Sequence, residues 1–202
     1  MEVLYIARHA EAASNVDDVV SGVPPGEGLS PLGRRQAREL GEALAGEAIE
    51  LGVSSELRRA RETLELALDG REMPTTTLAA FNEINFGRYE GGPLAAYREW
   101  AWSTDPDVEC PGGGESRSSA AARFAGALDW LLVRPEATIL LIGHALPIRY
   151  VLDASDGRFP AAKIGQIGHA EAHRLRRDAV EAAAETLRVW SEAPRFYESL
   201  EG

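Results

Sequence analysis

The sequence is short of thiols, of positive charge and of long apolar runs, and each shortage closes off a class of protein. Cys110 is the only cysteine in 202 residues, so an internal disulfide and a zinc centre built from cysteines are both excluded. No apolar stretch approaches the roughly 20 residues that a membrane-spanning helix requires. The first residues run straight into an apolar segment carrying Glu2 and Arg8, without the basic start of a secretion signal. Lys and Arg number 21 against 32 Asp and Glu, a net charge of −11. A surface of that sign repels nucleic acid and anionic membranes, so neither is expected as a partner. These features read as a cytoplasmic protein. An anionic small molecule would need arginines gathered at one place.

What is present is ordinary globular material, 45% apolar and 26% charged, and one domain spanning residues 1–202 is expected at this length. Val3 to Ala7 is a short apolar run without alternation, the pattern of a strand buried on both faces. Ser30 and Pro31 supply a helix cap and a first-turn proline. Leu32, Leu40, Leu44 and Ala48 follow at near-helical spacing. Ile49 to Val53 reads as a second strand. Leu57, Ala60, Leu64 and Leu68 then share a helix face, with Gly70 as a stop. A third strand is expected near Thr75 to Leu78. The stretch 82–114, rich in Gly, Pro and aromatics, has no clean period and reads as an irregular surface excursion or lid. Tyr97, Trp100 and Trp102 within it are either packing residues or part of that lid. Phe124, Leu128, Leu131 and Leu132 mark a helix closed by Pro135. Thr138 to Ile142 is a further buried strand and Pro147 to Leu152 a short helix. Thr186 to Trp190 reads as a strand with Leu187 and Val189 on one face, and the last dozen residues as a tail.

Strands alternating with helices predict an α/β fold, a mainly parallel sheet with helices on both faces. Ligands bind such sheets beyond the carboxyl ends of the strands. His9 and His144 each stand just past the end of an apolar strand, 135 residues apart in the chain. Both can therefore meet at one sheet edge.

The chemistry-bearing residues fall in blocks: Arg8, His9, Glu11 and Asn15; Ser54, Ser55, Arg58, Arg59 and Arg61; Glu83 with glycines at 87, 91 and 92; Gly114-Glu115-Ser116; and Gly143-His144. Asn15 either contacts a bound anion or caps a short helix at Val16. His169 and His173 have a metal-ligand spacing if helical; with Glu171 between them they could equally line one face of a strand or be exposed, and they are left out of the site.

In order and spacing these blocks resemble the histidine phosphatase superfamily, also called phosphoglycerate mutase-like. Arg8-His9-Ala10-Glu11 with Asn15 is similar to its opening motif. Leu29-Ser30-Pro31-Leu32-Gly33 through Gln36-Ala37 resembles its second block. Ser55 to Ala60 matches a third, which selects Arg59 rather than Arg58. Glu83, Gly87, Glu90 and Gly91 resemble a fourth, Gly114-Glu115-Ser116 with Arg123 a fifth, and Gly143-His144 a sixth. The likeness covers about residues 3 to 150, and departs at Ala10 and Ala145, where the family usually has glycine. There a methyl group could shift the backbone or narrow the pocket.

The resemblance implies a three-layer sandwich and a metal-independent phosphatase for a small phosphorylated metabolite, working through a phosphohistidine and using no cofactor. His9 would be the nucleophile. Arg8, Arg59 and His144 would hold the phosphoryl oxygens, with Asn15 and Ala145 lining the phosphate site, and Glu83 would be the general acid. A neutral imidazole is nucleophilic, and arginine's planar fork fits a phosphoryl group as lysine cannot. The alternatives are phosphoglycerate mutase-type transfer, a phosphohistidine-protein phosphatase, and a silent regulatory member. The mutase-like block here reads Phe81-Asn82-Glu83-Ile84-Asn85-Phe86-Gly87, without basic residues at its centre, which favours hydrolysis. A homodimer is left open.

Overall fold

A computed structural model describes residues 1–196. Its elements, in chain order, are β1 (Val3–Arg8), α1 (Ala13–Val16), α2 (Pro31–Ala43), β2 (Leu51–Ser54), α3 (Arg58–Ala67), β3 (Thr75–Thr77), α4 (Leu94–Trp102), α5 (Arg117–Leu132), β4 (Thr138–Gly143), α6 (Ala145–Ser155), β5 (Ala172–Arg176) and α7 (Arg177–Glu192). Short 3-10 turns lie at Ala79–Phe81 and Gly87–Tyr89. The five strands form one sheet in the order β3-β2-β4-β1-β5, parallel except for β5. This is the expected α/β architecture with a mainly parallel sheet.

Alternation along the strands builds two apolar layers. Tyr5, Ala7, Leu140 and Ile142 face one side, where Leu40, Ala60 and Leu64 of α2 and α3 cover them. Leu4, Ile6, Ile139 and Leu141 face the other, against Phe124 and Leu128 of α5, Val151 of α6, and Leu187 of α7. Both faces of β1 and β4 are buried, which is why these strands carry unbroken apolar runs.

Local signals behave as their chemistry requires. Ser30 caps α2 by accepting a hydrogen bond from the Gly33 N–H at 3.0 Å, and Pro31 occupies the first turn. Gly33 lies so close to the preceding segment that a Cβ there would stand 1.9 Å from the Glu11 carbonyl oxygen. The Ser30 hydroxyl also donates to the Glu11 carboxylate at 2.6 Å, and the Gln36 amide oxygen accepts from the Glu11 N–H. The first two sequence blocks thus interlock.

Three expectations need correction. Leu32 and Ala48 are exposed, and the buried face of α2 is Gly33, Ala37 and Leu40. The segment 82–114 is not irregular throughout: α4 lies within it, and Ile84, Phe86, Tyr97, Ala101 and Cys110 are buried in the larger core. Thr186 to Trp190 is not a strand but the last turns of α7, which bury Leu187 and leave Val189 outside. The strand in this region is β5, antiparallel to β1. It went unseen because only Ala172, His173 and Leu175 are even partly buried on this edge. Of the proposed tail, residues 197–202 lie outside the described residues.

Candidate active site

Parallel pairing of β1 with β4 sets Arg8 opposite Gly143. The next residue on each strand is a histidine, and the ladder continues through a hydrogen bond from the His9 N–H to the Gly143 carbonyl at 2.9 Å. Register alone therefore brings the two imidazoles together. Their ring centroids are 5.1 Å apart. Both rings are buried, His144 completely.

The third member comes from the start of α3. Arg59 is 3% exposed, whereas its neighbour Arg58 is exposed and pairs with Glu62 at 2.7 Å. The Arg59 Nε donates to His9 Nε2 at 3.0 Å, and one terminal nitrogen donates both to the Ser21 carbonyl at 2.7 Å and to His144 Nδ1 at 3.3 Å. A guanidinium can only donate, so His9 Nε2 and His144 Nδ1 are both unprotonated. The His9 proton then sits on Nδ1, which donates to the Ala10 carbonyl at 2.8 Å. The His144 proton sits on Nε2, 2.7 Å from the Ser55 hydroxyl oxygen.

The electrostatics agree with these tautomers. Burial, followed by the charges of Arg59, the neighbouring His144 and Arg8, holds His9 well below its ordinary value of 6.5. Burial, then Arg59 and Arg8, does the same for His144. Arg59 is drawn down to about 10, mainly by burial and against the pull of Glu83, and stays charged at neutral pH. Arg8 is partly buried; one terminal nitrogen donates to the Ile167 carbonyl at 3.0 Å, and its Nε is buried without a protein partner.

Glu83 reaches this cluster from the turn after β3. One carboxylate oxygen accepts from the Ile84 N–H at 3.0 Å. Burial raises its pKa, while Arg59, Arg8 and Arg123 pull it back. The surrounding backbone is held by Arg123, which donates to the carbonyls of Ala80 and Asn82 at 3.0 Å and forms an ion pair with Glu115 at 2.7 Å. Glu90, the other acidic residue of this block, does different work. Its carboxylate accepts from the N–H groups of Gly22 and Val23, anchoring the loop whose Ser21 carbonyl receives Arg59. Both carboxylates act on Arg59, Glu83 the more strongly, and Glu83 also acts on Arg8.

Other candidates settle into supporting places. Ala10 is fully buried beside Leu29 and Ala37, so its methyl group packs into a small apolar cluster. Ala145 begins α6 directly after His144, placing that helix's N-terminal end at the site, where the dipole favours an anion. Asn15 lies within α1, and its amide oxygen accepts from the Ala12 N–H at 3.0 Å. It therefore caps from inside α1, bonding the N-cap Ala12, and does not precede a helix starting at Val16. His169 and His173 do not share a helix: the first precedes β5 and the second lies on it, opposite Ile6. Among the described residues, no group of three or more His, Cys, Asp or Glu is placed to hold a metal ion. The lone thiol, Cys110, donates to the Phe86 carbonyl at 3.1 Å, and burial raises its pKa to about 11. Trp100 packs on Tyr89 and Tyr97, while Trp102 is exposed beneath the Lys163 ammonium, 5.4 Å from its ring centre.

Sequence reasoning missed Thr63 and named Ser55 in its second block without giving it a place in the site. Ser55 faces His144, and the Thr63 hydroxyl accepts from the Ala10 N–H at 3.0 Å while donating to the Arg59 carbonyl at 2.7 Å. Thr63 lies one helical turn beyond Arg59, a spacing that could have pointed to it.

The mainly parallel α/β sheet thus ends in two buried histidines bridged by an arginine. The chain belongs to the histidine phosphatase superfamily (branch 1), whose profile matches residues 4–191. It is 37% identical over 153 residues to the adenosylcobalamin/alpha-ribazole phosphatase of Escherichia coli, covering 70% of this chain and 72% of that one. A probable phosphoglycerate mutase from Yersinia enterocolitica is 25% identical over 167 residues, 79% of this chain and 77% of that one. Among solved structures, a putative alpha-ribazole-5'-P phosphatase from Escherichia coli aligns with a TM-score of 0.72 at 25% identity, covering 87% of this chain and 95% of that one. A mycobacterial glucosyl-3-phosphoglycerate phosphatase in complex with VO3 gives a TM-score of 0.72 at 27% identity, over 87% and 91%.

Proposed function

We propose that this protein is a phosphatase hydrolysing a small phosphomonoester through a phosphohistidine on His9, without a metal ion. The observation that carries this reading is the lone pair of His9 Nε2, kept free of a proton and held 3.0 Å from Arg59 Nε. A buried, neutral imidazole whose Nδ1 proton is tied to a carbonyl presents its other nitrogen as the nucleophile.

The ester's phosphoryl group enters the space bounded by Arg8, Arg59, His9 and His144. Arg59 exchanges its bond to His9 Nε2 for one to a phosphoryl oxygen, and the unpartnered Arg8 Nε gives a second donor. These cations stabilise charge on the transferring group, the main requirement of phosphoryl transfer. His9 Nε2 then bonds to phosphorus as the ester P–O bond breaks, and Glu83 gives its proton to the departing alkoxide. In the second half, water attacks phosphorus, Glu83 takes a proton from it, and the N–P bond breaks to release inorganic phosphate. A carboxyl whose pKa is raised by burial is better placed to give a proton in the first half. The incoming dianion also favours protonation of His144 Nδ1, which turns that atom from an acceptor into a donor to the phosphoryl group.

Hydrolysis is preferred to mutase transfer because Ile84 and Asn85 stand where the mutase-like block carries basic residues. The test is a panel of phosphorylated metabolites assayed for released phosphate, with and without a chelator. Alpha-ribazole phosphate and glucosyl-3-phosphoglycerate, suggested by the relatives' names, belong in the panel. Phosphate release that survives chelation is expected. Loss of release in chelator overturns the metal-free mechanism. Rapid interconversion of 3- and 2-phosphoglycerate with a trace of 2,3-bisphosphoglycerate, and no phosphate release, establishes the mutase instead.

A further inference from the structure

We infer that His169 is a positioning residue for the nucleophile, holding the main chain of His9 through a hydrogen bond from its Nδ1; the inference rests on the phosphatase reading above. The antiparallel pairing of β5 with β1 means that the segment leading into β5 passes beside the segment leaving β1. Three bonds join them. The Ile167 carbonyl accepts from Arg8 at 3.0 Å, the Ala170 N–H donates to the Arg8 carbonyl at 2.9 Å, and His169 Nδ1 lies 2.9 Å from the His9 carbonyl oxygen. A carbonyl only accepts, so the His169 proton is on Nδ1. Ala170 adopts φ of +54°, a left-handed conformation that a residue with a Cβ takes only when its surroundings impose it. The half-buried ring of His169 stands 5.7 Å from that of His9.

With this contact every polar atom of His9 has a partner: the N–H on Gly143, the carbonyl on His169, Nδ1 on Ala10 and Nε2 on Arg59. Two of these anchors depend on loops, and among the described residues His169 is the one side chain bonded to the backbone of His9. Displacement of a nucleophile by a fraction of an ångström is enough to slow attack. Removing this donor leaves a carbonyl beside the site unpaired and frees the peptide that carries His9 to turn.

The experiment uses p-nitrophenyl phosphate with the wild type, His169→Phe and His169→Asn. Phenylalanine keeps the ring and loses the donor; asparagine restores an N–H at a similar reach. For His169→Phe, kcat is expected to drop by about tenfold or more with KM little changed and Tm within a few degrees of wild type, and His169→Asn to recover most of the loss. Undiminished kcat in His169→Phe overturns the inference, as does a His169→Asn enzyme no better than the phenylalanine variant. If His169→Phe does not fold, ring-nitrogen NMR of the wild type decides: a proton on Nδ1 of His169 supports the contact, and one on Nε2 alone overturns it. A wild type that neither hydrolyses the probe nor acquires phosphohistidine refutes the phosphatase reading, while the NMR measurement still judges the His169 contact.

Discussion

Arg59 Nε donates to His9 Nε2 across 3.0 Å, so the cation that would bind the phosphoryl group is, at rest, the hydrogen-bond partner of the atom that would attack it. The bond keeps a proton off the nucleophile. It also points the lone pair toward the place where the phosphoryl group must arrive.

Removal of the nucleophile is the plainest test. His9→Ala is expected to lower phosphate release on the order of 10⁴-fold or more, and to abolish acid-labile labelling by a radioactive phosphate ester. The circular dichroism spectrum should be unchanged. Turnover near the wild-type level would show that some other group attacks.

For the general acid, the leaving group is the probe. Glu83→Gln should slow alkyl phosphates by about 10²-fold or more while affecting p-nitrophenyl phosphate far less, because nitrophenolate departs without a proton. Initial rates on the two esters settle the matter, and equal losses would remove Glu83 from that role.

Arg59→Lys tests geometry at constant charge. An ammonium cannot reproduce a planar fork that serves Nε2 of one histidine, Nδ1 of another and the Ser21 carbonyl. A fall in kcat/KM of about 10²-fold is expected, together with weaker inhibition by vanadate. A lysine enzyme within threefold of wild type, roughly 0.6 kcal/mol of transition-state stabilisation, would mean that charge alone suffices.

Stability should fall in mild acid. His9 and His144 remain neutral in the folded protein well below 6.5, whereas in the unfolded chain each takes up a proton as pH drops through that value. The unfolded state then binds more protons, so folding is weakened below pH 6.5 by about 1.4 kcal/mol per pH unit for each histidine. Glu83, raised by burial, works in the opposite direction over its own range, because there the folded form holds the extra proton. Denaturant titrations from pH 8 to 5 should be level above about 6.5 and fall below it with a net slope between one and two protons, and His9→Asn should remove about one proton from that slope. A level curve in the wild type would contradict the buried neutral tautomers.

The legible parts of the chain were those governed by neighbours in sequence. Ser30 and Pro31 start α2 because an oxygen cap and a fixed φ act within one turn. β1 and β4 are written as apolar runs because both their faces are covered. Illegible parts were governed by distant partners. In α7, Val180, Ala183, Ala184, Leu187 and Trp190 form the buried stripe, a helical period that a five-residue window from Thr186 cannot display. In α4 only Tyr97 and Ala101 are buried, too few to stand out among its other aromatic residues. Polar residues of β5 form a strand because β1 offers them an unpaired edge.

Sequence, read with its family resemblance, singled out the candidate residues: two histidines each ending a buried strand, Arg59 set apart from Arg58, and an acidic residue after the third strand. Tertiary structure decided how they meet. Strand register set one imidazole against the other, Arg59's donors assigned their tautomers, and antiparallel addition of β5 carried His169 to the nucleophile's carbonyl. Side-chain chemistry is a property of the residue, but a hydrogen bond across 160 positions exists only once the sheet has closed around it.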